Sequence, residues 1–299
     1  MISYFQAIVI GLLQGVTELF PISSLGHSVL IPAWLGWDNL VSAQSANESF
    51  YLAFVVALHV ATAMALLVYF RREWVRIIGG FIATLRTRKI ETPDERMAWL
   101  LIVATVPAGI TGLIFEHSLR TLFAKPLAAA IFLAINGAIL LAGERYRRRA
   151  AVRELAVAHS PHDARSQAVG ALDRLDFKEA GAVGFAQIGA LFAGISRSGI
   201  TMVAALVRGF DHEDAVRFSF LLATPIIFAA GVYKVPDLAG HLGDGIRGQA
   251  FVGALFAAAA AYVSVRFLVK FFETRTLTPF AIYCLAAGGV SIVRFAIGS

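Results

Sequence analysis

The sequence predicts an all-α polytopic membrane protein with about six transmembrane helices and two re-entrant helical hairpins in an inverted-topology repeat. Composition is the first reason: 58% of the 299 residues are hydrophobic and only 15% are charged, whereas soluble domains carry about 25% charged residues. Several stretches also reach the roughly 20 apolar residues that a membrane span needs. Finally, two further apolar stretches are interrupted by polar residues and resemble each other.

Six apolar runs are predicted to span the bilayer: Tyr51–Phe70, Met97–Phe115, Pro126–Gly143, Ala215–Lys234, Gln249–Phe271 and Thr278–Ile297. The interrupted stretches are Tyr4–Phe20, which meets Pro21, and Ala180–Ala193, which meets Gly194. Each is followed by a short polar stretch and a second short apolar run. This pattern predicts hairpins that enter the membrane and turn back inside it, where irregular backbone must be surrounded by protein or by a wet cavity.

The basic residues predict an orientation. Residues 1–70 contain no lysine or arginine, whereas two basic clusters follow at Arg71–Arg96 and Arg145–Arg153. Two spans separate the clusters, so both can lie on the cytoplasmic side, and the first hairpin then faces outward. The net charge of +6 is explained by these loops, so we expect the bilayer as a partner and no nucleic acid. The lone cysteine excludes an internal disulfide and a cysteine-based metal site.

An internal repeat relates the two interrupted stretches. A shift of 173 residues aligns five identical pairs: Gly11 with Gly184, Gln14 with Gln187, Ile22 with Ile195, Ser23 with Ser196, and Gly26 with Gly199. Three spans separate the copies, so their topologies are inverted, as in proteins that build a polar site near the membrane midplane. We therefore expect one membrane domain over residues 1–299, with repeats at about 1–115 and 180–299. The Arg-rich cytoplasmic loop at about 144–178 is predicted to be a solvated helix or a flexible connector.

The first interruption carries groups suited to catalysis. Gln14 and Glu18 share a helix face, and a carboxylate within a membrane usually has a functional partner. Ser23, Ser24 and His27 follow after the proline, and a serine or histidine beside a base can act as a nucleophile. The alternatives are a structural ion pair for Glu18 and a helix cap for Ser23.

The second interruption, Gly194–Thr201, predicts an anion site. Its glycines, its hydroxyls and the helix that follows would surround a phosphate with donors, and an arginine offers bidentate contacts to it. The alternative is a structural bridge between Arg197 and Glu18. His59 is either a buried core residue or a lining group, and Asn136 is predicted to join neighbouring helices. The phosphate ligands expected here are Gly194, Ser196, Arg197, Ser198 and Thr201.

These segments resemble a known family. Gln14–His27 (QGVTELFPISSLGH) and Gly194–Thr201 (GISRSGIT) are similar to the two signatures of the bacitracin-resistance type undecaprenyl-diphosphate phosphatases. Phe218–Pro225 and Pro279–Tyr283 also resemble family segments. The chain departs from the family pattern at four positions, none of which removes a reacting group: Gln14, Leu25, Ala193 and Cys284.

The resemblance implies hydrolysis of undecaprenyl diphosphate to undecaprenyl phosphate and inorganic phosphate, which recycles the lipid carrier of cell-wall synthesis. It further implies a bacterial inner-membrane location, an outward-facing site and a divalent cation, Mg²⁺ or Ca²⁺, for which Glu18 is the candidate ligand. A polyprenyl diphosphate lipid is the expected partner, and a homodimer is left open.

The expected catalytic residues are Glu18, Ser24, His27 and Arg197, supported by Gln14, Ser23, Gln187 and His59. Ser24 is the preferred nucleophile, with His27 as the alternative, and alanine at Glu18, His27 or Arg197 is expected to abolish most activity. The rival hypothesis is a transporter or flippase of phosphorylated polyprenyl lipid, because inverted repeats with a midplane site are typical of transporters. A passive scaffold would leave Glu18 and Arg197 unexplained.

Overall fold

A computed structural model describes residues 2–44, 50–123, 125–157 and 175–297. The described residues form helices only, with no strand among them, which confirms the all-α class. In chain order the helices are α1 (Tyr4–Thr17), α2 (Ser24–Trp34), α3 (Asp38–Gln44), α4 (Phe50–Tyr69), α5 (Arg71–Thr87), α6 (Pro93–Phe123), α7 (Pro126–Val157), α8 (Phe177–Ala186), a 3-10 turn (Gln187–Leu191), α9 (Arg197–Val207), α10 (His212–Lys234), α11 (Pro236–Ala239), a second 3-10 turn (His241–Gly243), α12 (Arg247–Phe272) and α13 (Thr278–Ile297).

Six of the described helices are long and apolar enough to cross a membrane, and they confirm the six predicted spans. Each contains an apolar window with a mean hydropathy between 1.8 and 2.2. The protein is therefore a multi-pass membrane protein. The spanning segments are Phe50–Tyr69, Pro93–Phe115, Pro126–Val152, His212–Leu238, Arg247–Phe272 and Thr278–Ile297.

The two interrupted stretches form two helix–break–helix segments. In the first, α1 ends at Thr17 and α2 begins at Ser24. In the second, α8 gives way to the 3-10 turn, and α9 begins at Arg197. Both breaks occur where the sequence places proline or glycine. Their re-entrance into the membrane, like the inverted repeat, stays a prediction.

Small residues set how closely the first helix of each segment packs. A side chain at Gly11 would clash with the backbone of Gly253, so α1 lies directly against α12. A side chain at Gly184 would clash in the same way with the carbonyl of Ala104, so α8 lies directly against α6. Gly11 and Gly184 are equivalent under the 173-residue shift, and they make equivalent close approaches.

The predicted Arg-rich loop is partly helical. Helix α7 continues past Gly143 to Val157, so its last turns carry Arg145–Arg149 as an extension of a span. Residues 158–174 of the predicted loop lie outside the described part of the chain. The other basic cluster begins on α5, a separate helix that packs on the start of α6, where Trp99 donates a hydrogen bond to Thr84 over 3.0 Å.

Candidate active site

The two breaks meet each other inside the helical bundle. The amide of Gly194 donates to Ser23 Oγ over 3.1 Å, and the same oxygen accepts the amide of Gly26 over 3.2 Å. The backbone is unusual on both sides of this contact, because φ is 70° at Ser23 and 112° at Gly194. Such values are rarely adopted by residues with side chains and cluster at functional sites. The serine predicted as a cap therefore also joins the two segments.

Asn136 on α7 holds both breaks at once. Its amide nitrogen donates to the carbonyl of Pro21 over 2.9 Å, and its amide oxygen accepts the N–H of Ser196 over 2.9 Å. The side chain is fully buried, and a buried hydrogen-bonded amide in a membrane protein fixes its neighbours in place. The residue predicted to join helices thus joins the two halves of the site.

Glu18 is the centre of the polar cluster. Oε1 accepts a hydrogen bond from Nη2 of Arg197 over 2.6 Å. Oε2 accepts from the amide of Gln14 over 3.2 Å and from the hydroxyl of Ser24. The same Oε2 lies 3.2 Å from Nε2 of His59. A buried carboxylate thus contacts a hydroxyl, an imidazole and a guanidinium, a set suited to moving a proton and holding an anion.

His59 turns Nε2 toward Ser24 as well as toward Glu18. Nδ1 lies 2.8 Å from the carbonyl of Val55, which can only accept, so Nδ1 carries a proton and Nε2 faces the cluster. Nε2 is 3.5 Å from Ser24 Oγ. Of the two roles left open for His59, the structure favours a lining group.

Arg197 has a donor left over. It begins α9, where Ser196 caps the helix by accepting the amide of Gly199 over 3.0 Å. Nη1 of Arg197 is buried and has no hydrogen-bond partner in the described part of the chain. Because a buried donor without a partner is costly, this nitrogen indicates an anionic ligand. The N-termini of α2 and α9 lie on either side of the same contact and add positive potential.

These groups line a cavity of about 460 Å³, which is within the range of small-molecule sites. Its polar end contains Glu18, Ser24, His59 and Arg197, and the rest of its wall is mostly apolar. In the membrane-spanning segments of α4, α6 and α10 the lining residues belong to the half that is farther from the basic clusters. Predicted site residues on the wall are Glu18, Ser23, Ser24, His59, Ser196 and Arg197.

Some predicted site residues are placed elsewhere. Nε2 of His27 lies 2.7 Å from the hydroxyl of Tyr283, and His27 does not line the cavity. Gln187 donates to the carbonyl of Ala104 over 2.8 Å, so it contacts α6 and not Glu18. Gln14, Gly194, Ser198 and Thr201 lie behind the wall, where they support residues that face the cavity.

The family follows from comparison with known proteins. A model of the bacitracin resistance protein BacA family matches residues 7–290. The chain belongs to the BacA family. Undecaprenyl-diphosphatase 2 of Frankia alni is 57% identical over 99% of each chain. The undecaprenyl-diphosphatases of Mycolicibacterium paratuberculosis and Mycobacterium avium are 56% and 55% identical over 99% of this chain and 98% of theirs. The resemblance based on the two signatures is confirmed.

The donors in the described part of this BacA-family chain do not form a site for a hard cation on their own. Both oxygens of Glu18 are engaged, one of them by the cationic side chain of Arg197. The described residues contain no group of three histidine, cysteine or acidic side chains that could hold a metal. Magnesium typically takes one or two carboxylates and completes its shell with water and substrate phosphates. A divalent cation thus stays a prediction of the family resemblance.

Sequence reasoning missed two neighbours of the BacA-family site. Tyr283 contacts His27 across 256 positions of the chain, and its ring stacks on the imidazole with centroids 5.8 Å apart. Lys234 lines the cavity at the end of α10. Lys234 has no local signal in the sequence, and the resemblance of Pro279–Tyr283 to a family segment does not show that Tyr283 contacts His27.

Proposed function

We propose that this protein is an undecaprenyl-diphosphatase, which hydrolyses undecaprenyl diphosphate to undecaprenyl phosphate and inorganic phosphate and so returns the lipid carrier to cell-wall synthesis. Membership of the BacA family and the names of its relatives support this function. The observation that assigns this function to a site is Nη1 of Arg197, which is buried beside Ser24 and Glu18 and has no hydrogen-bond partner among the described residues.

In the proposed binding mode, the terminal phosphate lies at the polar end of the cavity. Arg197 and the amides at the starts of α2 and α9 hold its oxygens, and these groups also stabilise the charge of the transition state. The prenyl chain follows the apolar wall, to which Leu52, Leu113 and Ile226 contribute.

Ser24 is the proposed nucleophile. Its hydroxyl already donates to Glu18, which accepts the proton as Oγ attacks the terminal phosphorus. The bond from that phosphorus to the bridging oxygen breaks, and undecaprenyl phosphate leaves. Glu18 passes that proton to the departing undecaprenyl phosphate. Water then attacks the phosphoserine with Glu18 or His59 as base, the bond from phosphorus to Ser24 Oγ breaks, and Oγ takes up the proton from the base as inorganic phosphate is released. Geometry favours Ser24 over His27, because Nε2 of His27 is engaged by Tyr283 away from the cavity.

We place the site on the outer side of the bacterial inner membrane. The support is the charge pattern together with the cavity wall, which uses the halves of the membrane-spanning segments of α4, α6 and α10 that are farther from the basic clusters. This side is where the diphosphate form of the carrier would be recycled.

The proposal is tested by phosphate release from undecaprenyl diphosphate by purified protein in detergent, where no membrane sides exist. We expect Arg197→Ala to lower kcat/KM by about 100-fold or more, because loss of one oxyanion donor costs about 3 kcal/mol in comparable sites. Arg208→Ala, at the exposed end of the same helix, is the matched control and should keep wild-type activity. Phosphate release by Arg197→Ala at the wild-type rate would refute the site.

The same assay separates the enzyme from a transporter or flippase, which would bind the lipid without releasing phosphate. Chelation tests the cation. Because the described residues alone offer no cation site, we expect EDTA to raise KM and leave the thermal unfolding temperature of the ligand-free protein unchanged. A large stabilisation of the ligand-free protein by Mg²⁺ or Ca²⁺ would contradict this expectation, since a ligand stabilises what it binds.

A further inference from the structure

Lys234 lies on the wall of the same cavity as Glu18 and Arg197 but belongs to a different part of it. It is in the last turn of α10, and its side chain is 21% exposed. Among the described residues that line the cavity, the other acidic and basic side chains are Glu18, His59 and Arg197, all at the polar end. The catalytic steps proposed above do not use this lysine.

The position of Lys234 along α10 places it far from the polar end of the cavity. Ser219 on α10 donates to the carbonyl of Ser198 over 3.3 Å, which fixes the level of the Arg197 loop on that helix. Lys234 follows Ser219 by fifteen residues, and at 1.5 Å per residue this is about 22 Å along the helix axis. The backbone of Lys234 is therefore well separated along α10 from the loop that carries Arg197.

The neighbours of Lys234 include an acidic and an aromatic side chain. Nζ is 3.7 Å from a carboxylate oxygen of Asp237, at the long end of an ion pair, and 4.9 Å from the ring centre of Tyr233. The nearby wall is contributed by apolar residues such as Leu113 and Ala230. A half-exposed pair of this kind contributes little to stability, so a phosphate can compete for the ammonium group.

We propose that Lys234 is an entry contact for the diphosphate headgroup of the substrate. It attracts the anionic headgroup at the outer end of α10 and releases it toward Arg197, which lies deeper. The physical basis is that a charge at the mouth of an apolar cavity raises the local concentration of an oppositely charged ligand. The inference rests on the proposed function and adds a residue that determines the capture of the lipid diphosphate.

The competing explanation is structural, because a lysine at a helix end can anchor the helix by reaching the membrane surface. The two explanations differ in what a change of charge does. An anchor affects folding and is insensitive to substrate charge. An entry contact affects kcat/KM, acts through KM and weakens with salt.

A charge series at Lys234 tests the inference. Lys234→Arg, Lys234→Met and Lys234→Glu are compared in mixed micelles of constant composition with undecaprenyl diphosphate at low salt. Because a basic residue near a membrane surface is worth about 1 kcal/mol toward an anion, we expect the Met variant to lose about five-fold in kcat/KM. The Arg variant should keep the wild-type value, the Glu variant should lose more than the Met variant, and kcat should be unchanged throughout.

The matched control is the same series at Lys125, an exposed residue just before α7 that does not line the cavity. We expect that series to be flat. At about 1 M salt the Debye length falls to about 3 Å, so the differences at Lys234 should shrink to less than two-fold. Thermal unfolding of each variant reports whether it is folded.

Three results would overturn the inference: a flat series at Lys234, a loss confined to kcat, or an equal loss at Lys125. These results leave the proposed function intact, because the wild type still releases phosphate. Failure of the wild type to release phosphate would instead overturn the proposed function and this inference with it.

Discussion

Replacing Asn136 with leucine should lower kcat more than it raises KM, because this amide holds together the two segments that carry Ser24 and Arg197. Leucine has nearly the same shape but cannot hydrogen-bond. The change leaves the N–H of Ser196 and the carbonyl of Pro21 buried without their partner, apart from a weak Sγ contact to Pro21 at 3.9 Å.

The size of the effect follows from those two lost partners. Each unsatisfied buried group costs about 1–3 kcal/mol, so the total cost is about 2–6 kcal/mol. If a shift of the two breaks relieves half of this cost, the resulting misalignment of the reacting groups should raise the activation free energy by about 1–3 kcal/mol. That corresponds to a fall in kcat of roughly 5- to 150-fold. The other half should appear as a lower unfolding temperature.

Phosphate release and thermal unfolding in the same detergent measure both parts. Asn136→Asp adds a pH test, because its carboxylate can accept from Ser196 but only its protonated form can donate to Pro21. The activity of the Asp variant relative to wild type should therefore rise as the pH falls. Ile135→Ala, on the exposed side of the same helix, is the control. A wild-type kcat in the folded Leu variant would refute the positioning role.

Two other predictions concern the backbone of the second break and the choice of histidine. Gly194→Ala should lower the activity, and it should lower the free energy of unfolding by at least about 1–3 kcal/mol. The added carbon would clash with the carbonyl of Ala129, and φ at this position is 112°. Gly181→Ala is the control and should keep both stability and activity, because a side chain there meets nothing within 4 Å. His59→Gln should lower kcat by at least tenfold more than His27→Gln, because of these two histidines His59 is the one that reaches Ser24. A larger loss of phosphate release in His27→Gln than in His59→Gln would contradict the proposed geometry.

The spans were predictable because each is a local property of the sequence. In a protein of this composition an apolar run of about 20 residues is expected to form a membrane-spanning helix, and all six runs are helices. The breaks were equally local, because Pro21 and Gly194 mark points where a helix cannot continue easily. The Arg-rich loop is predicted to be a solvated helix or a flexible connector, and its first part is a helix, because a helix need not end where the apolar run ends.

The composition of the site was only partly predictable, for a physical reason. Signatures in the sequence identify groups that are close along the chain, such as Glu18 and Ser24. They cannot show which side chains arrive from other helices. His59 and Asn136 had no neighbours in the sequence that set them apart, and their roles became visible only when α4 and α7 were packed around the breaks. His27 looked like a reacting group for the opposite reason, since it is near Ser24 in the chain but turns toward Tyr283.

The nucleophile is the most direct test of the proposed mechanism. Phosphate release from undecaprenyl diphosphate should be compared between Ser24→Ala and Ser28→Ala, because Ser28 lies one turn further along α2 and also lines the cavity. We predict that Ser24→Ala loses at least about 1000-fold in kcat, as expected when a covalent nucleophile is removed, while Ser28→Ala stays within a few-fold of wild type. Wild-type phosphate release by the folded Ser24→Ala protein would contradict the account.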